Sequence, residues 1–220
     1  MIPRPFPYDL IDDSDPNQLS KASFAHLLRR AGDRYGDRVA ISERGEQTTF
    51  EDLVARASAI SRSLDRVGIR PGDVCAVLAR KPRDAAAGFF AALGIGAIGI
   101  NLNELYRPRQ IEFVLEHSQA SALVISGEIL KTFHRPIETK ARLVILEDIP
   151  STNSGFAPVD RDAPSAAQIT YTSGSTGQPK GVLMSHANLW AGVRVVATYL
   201  GLRSADRIAA LLPFSFVYGF

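Results

Sequence analysis

The sequence lacks most of the features that would place it in a specialised class of protein. Its 220 residues include one cysteine, Cys75, so no internal disulfide can form and a reducing, cytoplasmic location is expected. Basic residues exceed acidic ones by only two, which gives no electrostatic reason to expect nucleic acid or a membrane surface as partner. The most apolar stretch, residues 85–100, is short and contains glycines, so no membrane span is predicted.

The composition of the chain divides it into two parts. Residues 1–15 are rich in proline and lack the apolar core of a signal peptide, so they are predicted to form an extended N-terminal arm. Residues 16–220 are predicted to form part of one folded domain, in which Cys75 lies in an apolar run and is expected in the core.

The hydrophobic pattern along residues 16–220 alternates between two periods. It predicts helices at 24–35, 49–67, 82–93, 108–118 and 186–199, a hairpin at 39–48, a surface loop at 150–164, and strands at 74–79, 97–102, 122–126, 143–146, 168–171, 181–184 and 207–212. Ser23, Thr49 and Ser185 are the expected helix caps. Apolar strands that alternate with helices predict an α/β fold with a largely parallel sheet flanked by helices.

The segment from Tyr171 to Gly181, which we call the 171–181 loop, has the most distinctive composition. It contains four Ser and Thr hydroxyls, three glycines and Lys180. Glycines let the main chain approach a ligand closely, consecutive N–H groups can form an anion-binding nest, and lysine adds a mobile positive charge. A flexible linker is the alternative interpretation. The flanking apolar segments favour a strand–loop–strand unit that binds the phosphates of a nucleotide.

Two better-known phosphate motifs do not fit this chain. A Walker loop that starts at Gly174 would need glycine at position 179 and Ser or Thr at position 181, where the chain has Pro179 and Gly181. The pattern Gly94-x-Gly96-x-x-Gly99 matches a dinucleotide fingerprint, but a predicted helix precedes it and a predicted strand follows it. That order is the reverse of what the fingerprint requires, so these glycines are predicted to form a helix-to-strand turn.

The 171–181 loop, followed by Ser185-His186-x-Asn188, resembles the signature of the adenylate-forming (AMP-binding) superfamily. This superfamily includes acyl-CoA synthetases, firefly luciferase and the adenylation domains of peptide synthetases. Weaker similarity extends over residues 49–53, 93–101, 107–118 and 213–219. The resemblance implies that residues 16–220 form the N-terminal part of the large domain of an acyl-CoA synthetase-like or luciferase-like enzyme.

The resemblance also implies a two-step reaction. ATP activates a carboxylic acid as an acyl-adenylate, and a thiol, either coenzyme A or the phosphopantetheine of a carrier protein, then takes the acyl group. By this resemblance Lys180 supports the loop and the pyrophosphate, and Thr176 lies near Mg²⁺. The residues expected to wrap the ATP phosphates are Thr172, Ser173, Gly174, Ser175, Thr176 and Gly177. His186 and Asn188 are expected to have structural roles.

The resemblance places the start of the acid pocket at Phe216, Val217 and Tyr218. Amino-acid-activating relatives have Asp where this chain has Val217, and a buried ammonium without a carboxylate partner is costly. An aliphatic or aryl acid without an α-amino group is therefore predicted. Two alternatives remain: an adenylation enzyme that loads an amino or hydroxy acid onto a carrier protein, and a non-catalytic nucleotide-binding or interaction module.

The sequence contains no match to the family's downstream Tyr-Gly-x-Thr-Glu element, its ribose-binding Asp or its C-terminal catalytic Lys. We therefore expect an N-terminal piece that does not form acyl-adenylate at a normal rate by itself. Such a piece would expose apolar surface where the rest of the domain packs, so homo-oligomers are expected.

Overall fold

The computed structural model describes residues 23–152, 155–172, 179–212 and 215. The predicted arm, residues 1–15, lies outside them. The elements in chain order are α1 (His26–Tyr35), β1 (Val39–Glu43), β2 (Glu46–Thr49), α2 (Phe50–Arg66), β3 (Val74–Leu78), α3 (Pro82–Gly94), β4 (Ile98–Asn101), α4 (Pro108–His117), β5 (Ala122–Ile125), α5 (Gly127–Leu130), β6 (Arg142–Ile145), β7 (Ala166–Thr172), β8 (Lys180–Ser185) and α6 (His186–Leu200), with a short 3₁₀ helix, Leu146–Asp148, after β6.

Six of the strands form one sheet in the order β6-β5-β3-β4-β7-β8. The pairs β3–β4, β3–β5, β5–β6 and β4–β7 are parallel, and β7–β8 is antiparallel. The predicted α/β fold with a largely parallel sheet is confirmed. Because β3, β4, β5 and β7 are parallel to one another, their carboxyl-terminal ends lie along the same edge of the sheet, where ligands bind in folds of this kind.

Both faces of the sheet are covered, as the near-continuous apolar strands predict. Alternate residues of β3 point to opposite faces: Cys75 and Val77 belong to one buried cluster, and Ala76 and Leu78 to the other. The first cluster includes side chains of α1, α2, α3 and α6, and the second includes side chains of α4. Cys75 is a fully buried core residue, and burial raises the pKa of its thiol to about 12.

Local sequence signals account for the first hairpin and for α2. Arg44 and Gly45 have φ of 48° and 87°, as the two central residues of a tight β-hairpin turn require. Thr49, an expected cap, forms a capping box with Asp52: the Asp52 N–H donates to Thr49 Oγ1 at 3.1 Å, and the Thr49 N–H donates to Asp52 Oδ2 at 2.9 Å. Hydrogen bonds from the Thr49 main chain and side chain lower the pKa of Asp52.

The three glycines of the dinucleotide-like pattern lie at the predicted helix-to-strand transition, with Gly99 already inside β4. Gly94 ends α3, Gly96 has φ of 77°, and β4 begins at Ile98. A further glycine, Gly88, lets α3 pack closely on β3, because a Cβ there would lie 2.7 Å from Cγ1 of Val77.

Two sequence-based predictions about the elements are wrong in whole or in part. Residues 207–212 form no strand, and Ile208 and Leu211 are largely exposed, because no described strand is available to pair with them. Helix α1 starts at His26, two residues after its predicted start, and Ser23 lies in the turn before it, where Ser23 Oγ accepts the Ala25 N–H at 3.3 Å and the Ser23 carbonyl accepts the His26 N–H at 3.0 Å.

The predicted surface loop at 150–164 is anchored to the core within its described part. Phe156 is buried, and the Gly155 carbonyl accepts a hydrogen bond from Ser58 Oγ of α2 at 3.1 Å. None of the helices in the described residues combines the length and the apolar character needed to cross a membrane.

Candidate nucleotide-binding site

The 171–181 loop joins two strands, as the sequence predicts, and the structure shows that these strands are antiparallel. The β7–β8 ladder continues to the pair Thr172 and Lys180, next to the pair Tyr171 and Gly181. Both ends of the loop are thereby fixed next to each other at the edge where the parallel strands end. The loop residues Ser173, Gly174, Ser175, Thr176 and Gly177 lie outside the described residues.

The two described members of the predicted phosphate site differ in environment. Thr172 is partly buried at the end of β7, and Lys180 is exposed at the start of β8. An exposed lysine beside a loop end can move its ammonium group towards a polyphosphate without a large desolvation cost.

The part of the hairpin nearest the loop extends beyond the main ladder of the sheet. Among the described residues β7 pairs with β4 at a single position, Gln168 with Gly99. Beyond that pair, Ile169 and Tyr171 pack against the buried cluster on the α4 side of the sheet. Side chains alternate along a strand, so Thr172 points to the opposite face from Tyr171.

A contact with α4 that no sequence pattern predicts lies at the base of the loop. The Tyr171 hydroxyl and Nδ1 of His117 are 2.8 Å apart. His117 is the last residue of α4, and the residues in contact are 54 positions apart. Only the fold brings them together, and no local pattern could have identified them.

His186 and Asn188, the two family-spaced polar residues after β8, stabilise the hairpin and the start of α6. Asn188 completes a capping box, in which Ser185 Oγ accepts its N–H at 3.1 Å and its Oδ1 accepts the Ser185 N–H at 2.9 Å. His186 is fully buried, and its Nδ1 accepts the Phe24 N–H at 3.0 Å. Burial first, and Arg161 second, lower the pKa of His186 to about 4. Both residues fit the structural roles expected of them.

The predicted acid-pocket residues Phe216, Val217 and Tyr218 lie outside the described residues. The adjacent Ser215 is described, and it lines a cavity of about 550 Å³ between β1, the ends of β3 and β4, and residues 208–212. Asn101, at the end of β4, also lines this cavity, and its amide atoms are buried with no hydrogen-bond partner among the described residues. Sequence analysis missed Asn101 because its position reads as part of an apolar strand.

The Mg²⁺ site predicted at Thr176 also falls in the part of the loop that is not described. Elsewhere in the described residues no three His, Cys, Asp or Glu side chains form a group that could hold a metal ion. Of the residues predicted to bind phosphate, Thr172 and Lys180 are the two that the structure describes.

Comparison with known proteins agrees with this geometry. The family described as "AMP-binding enzyme" matches residues 28–220. A cyclo-acetoacetyl-L-tryptophan synthase of Aspergillus oryzae is 30% identical over 174 residues, which cover 79% of this chain and 4% of that protein. A 3-oxocholest-4-en-26-oate–CoA ligase of Rhodococcus rhodochrous is 26% identical over 187 residues, which cover 76% of this chain and 34% of the ligase.

Solved structures share the fold. A peptide synthetase, FmoA3, in an AMPPNP-bound form, superimposes with a TM-score of 0.81 at 20% identity, over 96% of this chain and 22% of that one. The N-terminal subdomain of Klebsiella oxytoca NpsA superimposes with a TM-score of 0.72 at 24% identity, over 90% of this chain and 50% of that one.

The fold, the hairpin and the match over residues 28–220 together define the class of adenylate-forming enzymes as the one to which the chain is related. The chain belongs to the AMP-binding enzyme family, whose members include acyl-CoA ligases and the adenylation domains of peptide synthetases. It spans 4% of the length of the Aspergillus synthase and 34% of the length of the Rhodococcus ligase, so it corresponds to a minor part of each of these two relatives.

Proposed function

We propose that this chain supplies the phosphate-binding hairpin of an enzyme that activates a carboxylic acid with ATP. The observation that carries the proposal is the pairing of Thr172 with Lys180, which closes the signature-like loop at the carboxyl edge of the sheet. In this proposal the β- and γ-phosphates bind Thr172, Ser173, Gly174, Ser175, Thr176, Gly177 and Lys180, and Mg²⁺ lies near Thr176.

The proposed reaction has two steps. An oxygen of the substrate carboxylate attacks the α-phosphorus of ATP, the bond between that phosphorus and the bridging oxygen breaks, and pyrophosphate leaves. A thiol then loses its proton and attacks the acyl carbon, which forms a thioester and releases AMP. Attack on phosphorus needs positioning and charge neutralisation more than covalent help. The loop N–H groups, the hydroxyls and Lys180 provide both at the leaving pyrophosphate.

The proposed substrate is an aliphatic or aryl carboxylic acid without an α-amino group. Val217 supports this choice, because it stands where amino-acid-activating relatives have the Asp that pairs with the ammonium. The thiol is coenzyme A or a carrier-protein phosphopantetheine, since relatives of both kinds match the chain. The single buried cysteine supports a cytoplasmic location.

ATP–pyrophosphate exchange by the gene product that carries this chain tests the proposal. We expect exchange with a panel of fatty and aryl acids and none with the common amino acids. A gramicidin S synthase 2 of Brevibacillus brevis is 26% identical over 86% of this chain, so carrier-protein loading of an amino acid is the second candidate. Exchange with amino acids alone would select that candidate and reject the proposed substrate class. No exchange with any acid would favour a non-catalytic nucleotide-binding or interaction module.

A further inference from the structure

Two aromatic side chains join the base of the 171–181 loop to α4. The Tyr171 hydroxyl lies 2.8 Å from Nδ1 of His117, and the two rings meet edge to face with centroids 5.7 Å apart. His117 in turn stacks on Phe113, one helical turn earlier, at 5.5 Å. The three rings thus form a continuous contact from the body of α4 to the last turn of the helix and then to β7.

The Tyr171 ring also covers the partner strand. Tyr171 pairs with Gly181 across the β7–β8 ladder. A Cβ at Gly181 would lie 3.4 Å from Cζ of Tyr171, so the ring lies directly over this glycine. The Tyr171 ring therefore contacts both strands. Tyr171 directly precedes Thr172 in β7, and Gly181 directly follows Lys180 in β8.

The end of the hairpin next to the loop has little support from neighbouring strands. The ladder between β4 and β7 has one residue pair in the described residues, at Gln168. On the other side β8 is an edge strand, and its residues 180–183 are exposed. An exposed edge strand contributes little lateral support. Side-chain contacts on the α4 face then restrain the strand ends that flank the loop.

The protonation of Tyr171 suits a hydrogen bond to His117. Burial raises the pKa of Tyr171, and a side-chain hydrogen bond with Ser118 lowers it by a smaller amount. The phenol, whose ordinary pKa is about 10, is therefore protonated at neutral pH and can donate a hydrogen bond to Nδ1 of His117 in the tautomer whose proton is on Nε2.

We propose that His117 and Tyr171 are positioning residues for the nucleotide polyphosphate. The β7–β8 ladder keeps the two strand ends together, and the pair holds this end of the hairpin in place relative to α4, so that Thr172 and Lys180 contact the same phosphate chain. This inference rests on the proposed ATP site and adds two residues to it, one of them from α4. Neither residue contacts the ligand in this proposal; they act through the strands.

The test compares ATP dissociation constants, measured by titration calorimetry on the 220-residue chain, for Tyr171→Phe, His117→Phe and the double variant. Both substitutions keep an aromatic ring and remove the hydrogen bond. Each single variant should bind ATP about three- to tenfold more weakly, the range that one hydrogen bond supports. The double variant should bind no more weakly than Tyr171→Phe, because that single variant already lacks the hydrogen bond that His117→Phe removes.

Two further variants separate positioning from general stability. His117→Asn keeps an acceptor near the place of Nδ1 and should recover most of the affinity. His134→Phe changes an exposed histidine elsewhere and should bind ATP as the wild type does. The urea midpoint of every variant is measured on the same samples. A lower midpoint with an unchanged ATP dissociation constant in His117→Phe and Tyr171→Phe would overturn the inference.

The proposed function and this inference fail in different ways. If Lys180→Ala weakens ATP binding but the His117 and Tyr171 variants do not, only the positioning role is rejected. If the wild-type chain binds no ATP, or binds it as well with Lys180→Ala, the phosphate site itself is rejected together with the positioning role.

Discussion

At the scale of single residues, burial decides what the histidine after β8 can do. His186 has no exposed surface, and its Nδ1 accepts the N–H of Phe24, 162 positions earlier in the chain. With a pKa lowered to about 4, its imidazole is neutral at physiological pH. The residue therefore joins the start of α6 to the segment before α1. The sequence places His186 at a helix start, but it could not predict so distant a partner.

The buried imidazole predicts a specific pH dependence of stability. The pKa of His186 is about 4 in the folded chain and about 6.5 in an unfolded one. Its stabilising contribution is complete above pH 6.5 and is lost as the pH falls towards 4, because the unfolded chain then binds the extra proton. Between these limits wild type should lose up to about 3 kcal/mol more unfolding free energy than His186→Asn.

Urea unfolding at a series of pH values measures this difference. The matched control is His134→Asn, which changes an exposed histidine and should keep the wild-type slope. A His186→Asn variant whose stability falls with pH as steeply as the wild type would show that His186 is not the responsible group.

At the scale of elements, the sequence predicts best where the signal is local. The caps Thr49 and Ser185 bond to residues only three positions away, and both cap their helices as expected. Residues 207–212 could not be judged in this way, because a strand exists only when another strand pairs with it. Their apolar composition alone therefore predicted a strand that is not there. The ring contact between Tyr171 and α4 was missed for the same reason, since it depends on tertiary packing.

The same substitution should have opposite effects in two helices. In α3 a Cβ at Gly88 would meet Val77 Cγ1 at 2.7 Å, so Gly88→Ala should push the helix from the sheet and destabilise the fold by about 1–3 kcal/mol. In α6 a Cβ at Gly192 meets nothing within 4 Å. Gly192→Ala should therefore stabilise the fold by about 0.5–1 kcal/mol, because alanine loses less backbone entropy than glycine in a helix.

Urea or thermal unfolding of both variants measures the sign of each change. If Gly88→Ala were neutral or stabilising, the close approach of α3 to β3 would not be a real constraint. If Gly192→Ala were destabilising, the exposed face of α6 would have to be packed against something in solution.

At the scale of the whole molecule, the exposed apolar side chains are concentrated in one part of the chain. Among the described residues, nine of the thirteen large exposed apolar side chains lie between residues 182 and 212, including Leu183, Val195 and Tyr199. Surfaces of this kind favour association. We expect concentration-dependent self-association in sedimentation experiments, reduced by Tyr199→Lys. The control Leu105→Lys changes an equally prominent side chain outside this region, 80% exposed, and should leave association unchanged.

The family and the fold follow from the sequence with few errors, because the signature is local and the strand–helix alternation is regular. The geometry of the site does not follow from the sequence, because it depends on tertiary features. These are the register that places Thr172 beside Lys180 and the contact of Tyr171 with His117. The central claim is that this hairpin binds the phosphates of ATP.

Titration calorimetry of ATP into wild type, Lys180→Ala and Lys140→Ala tests that claim most directly. Lys140 is a second exposed lysine, outside the hairpin, so both variants lose the same charge from the chain as a whole. We predict that wild type and Lys140→Ala bind ATP equally well and that Lys180→Ala binds about tenfold more weakly or worse, as the loss of a charged hydrogen bond implies. Equal affinity of Lys180→Ala and Lys140→Ala, or no ATP binding by the wild type, would contradict the account.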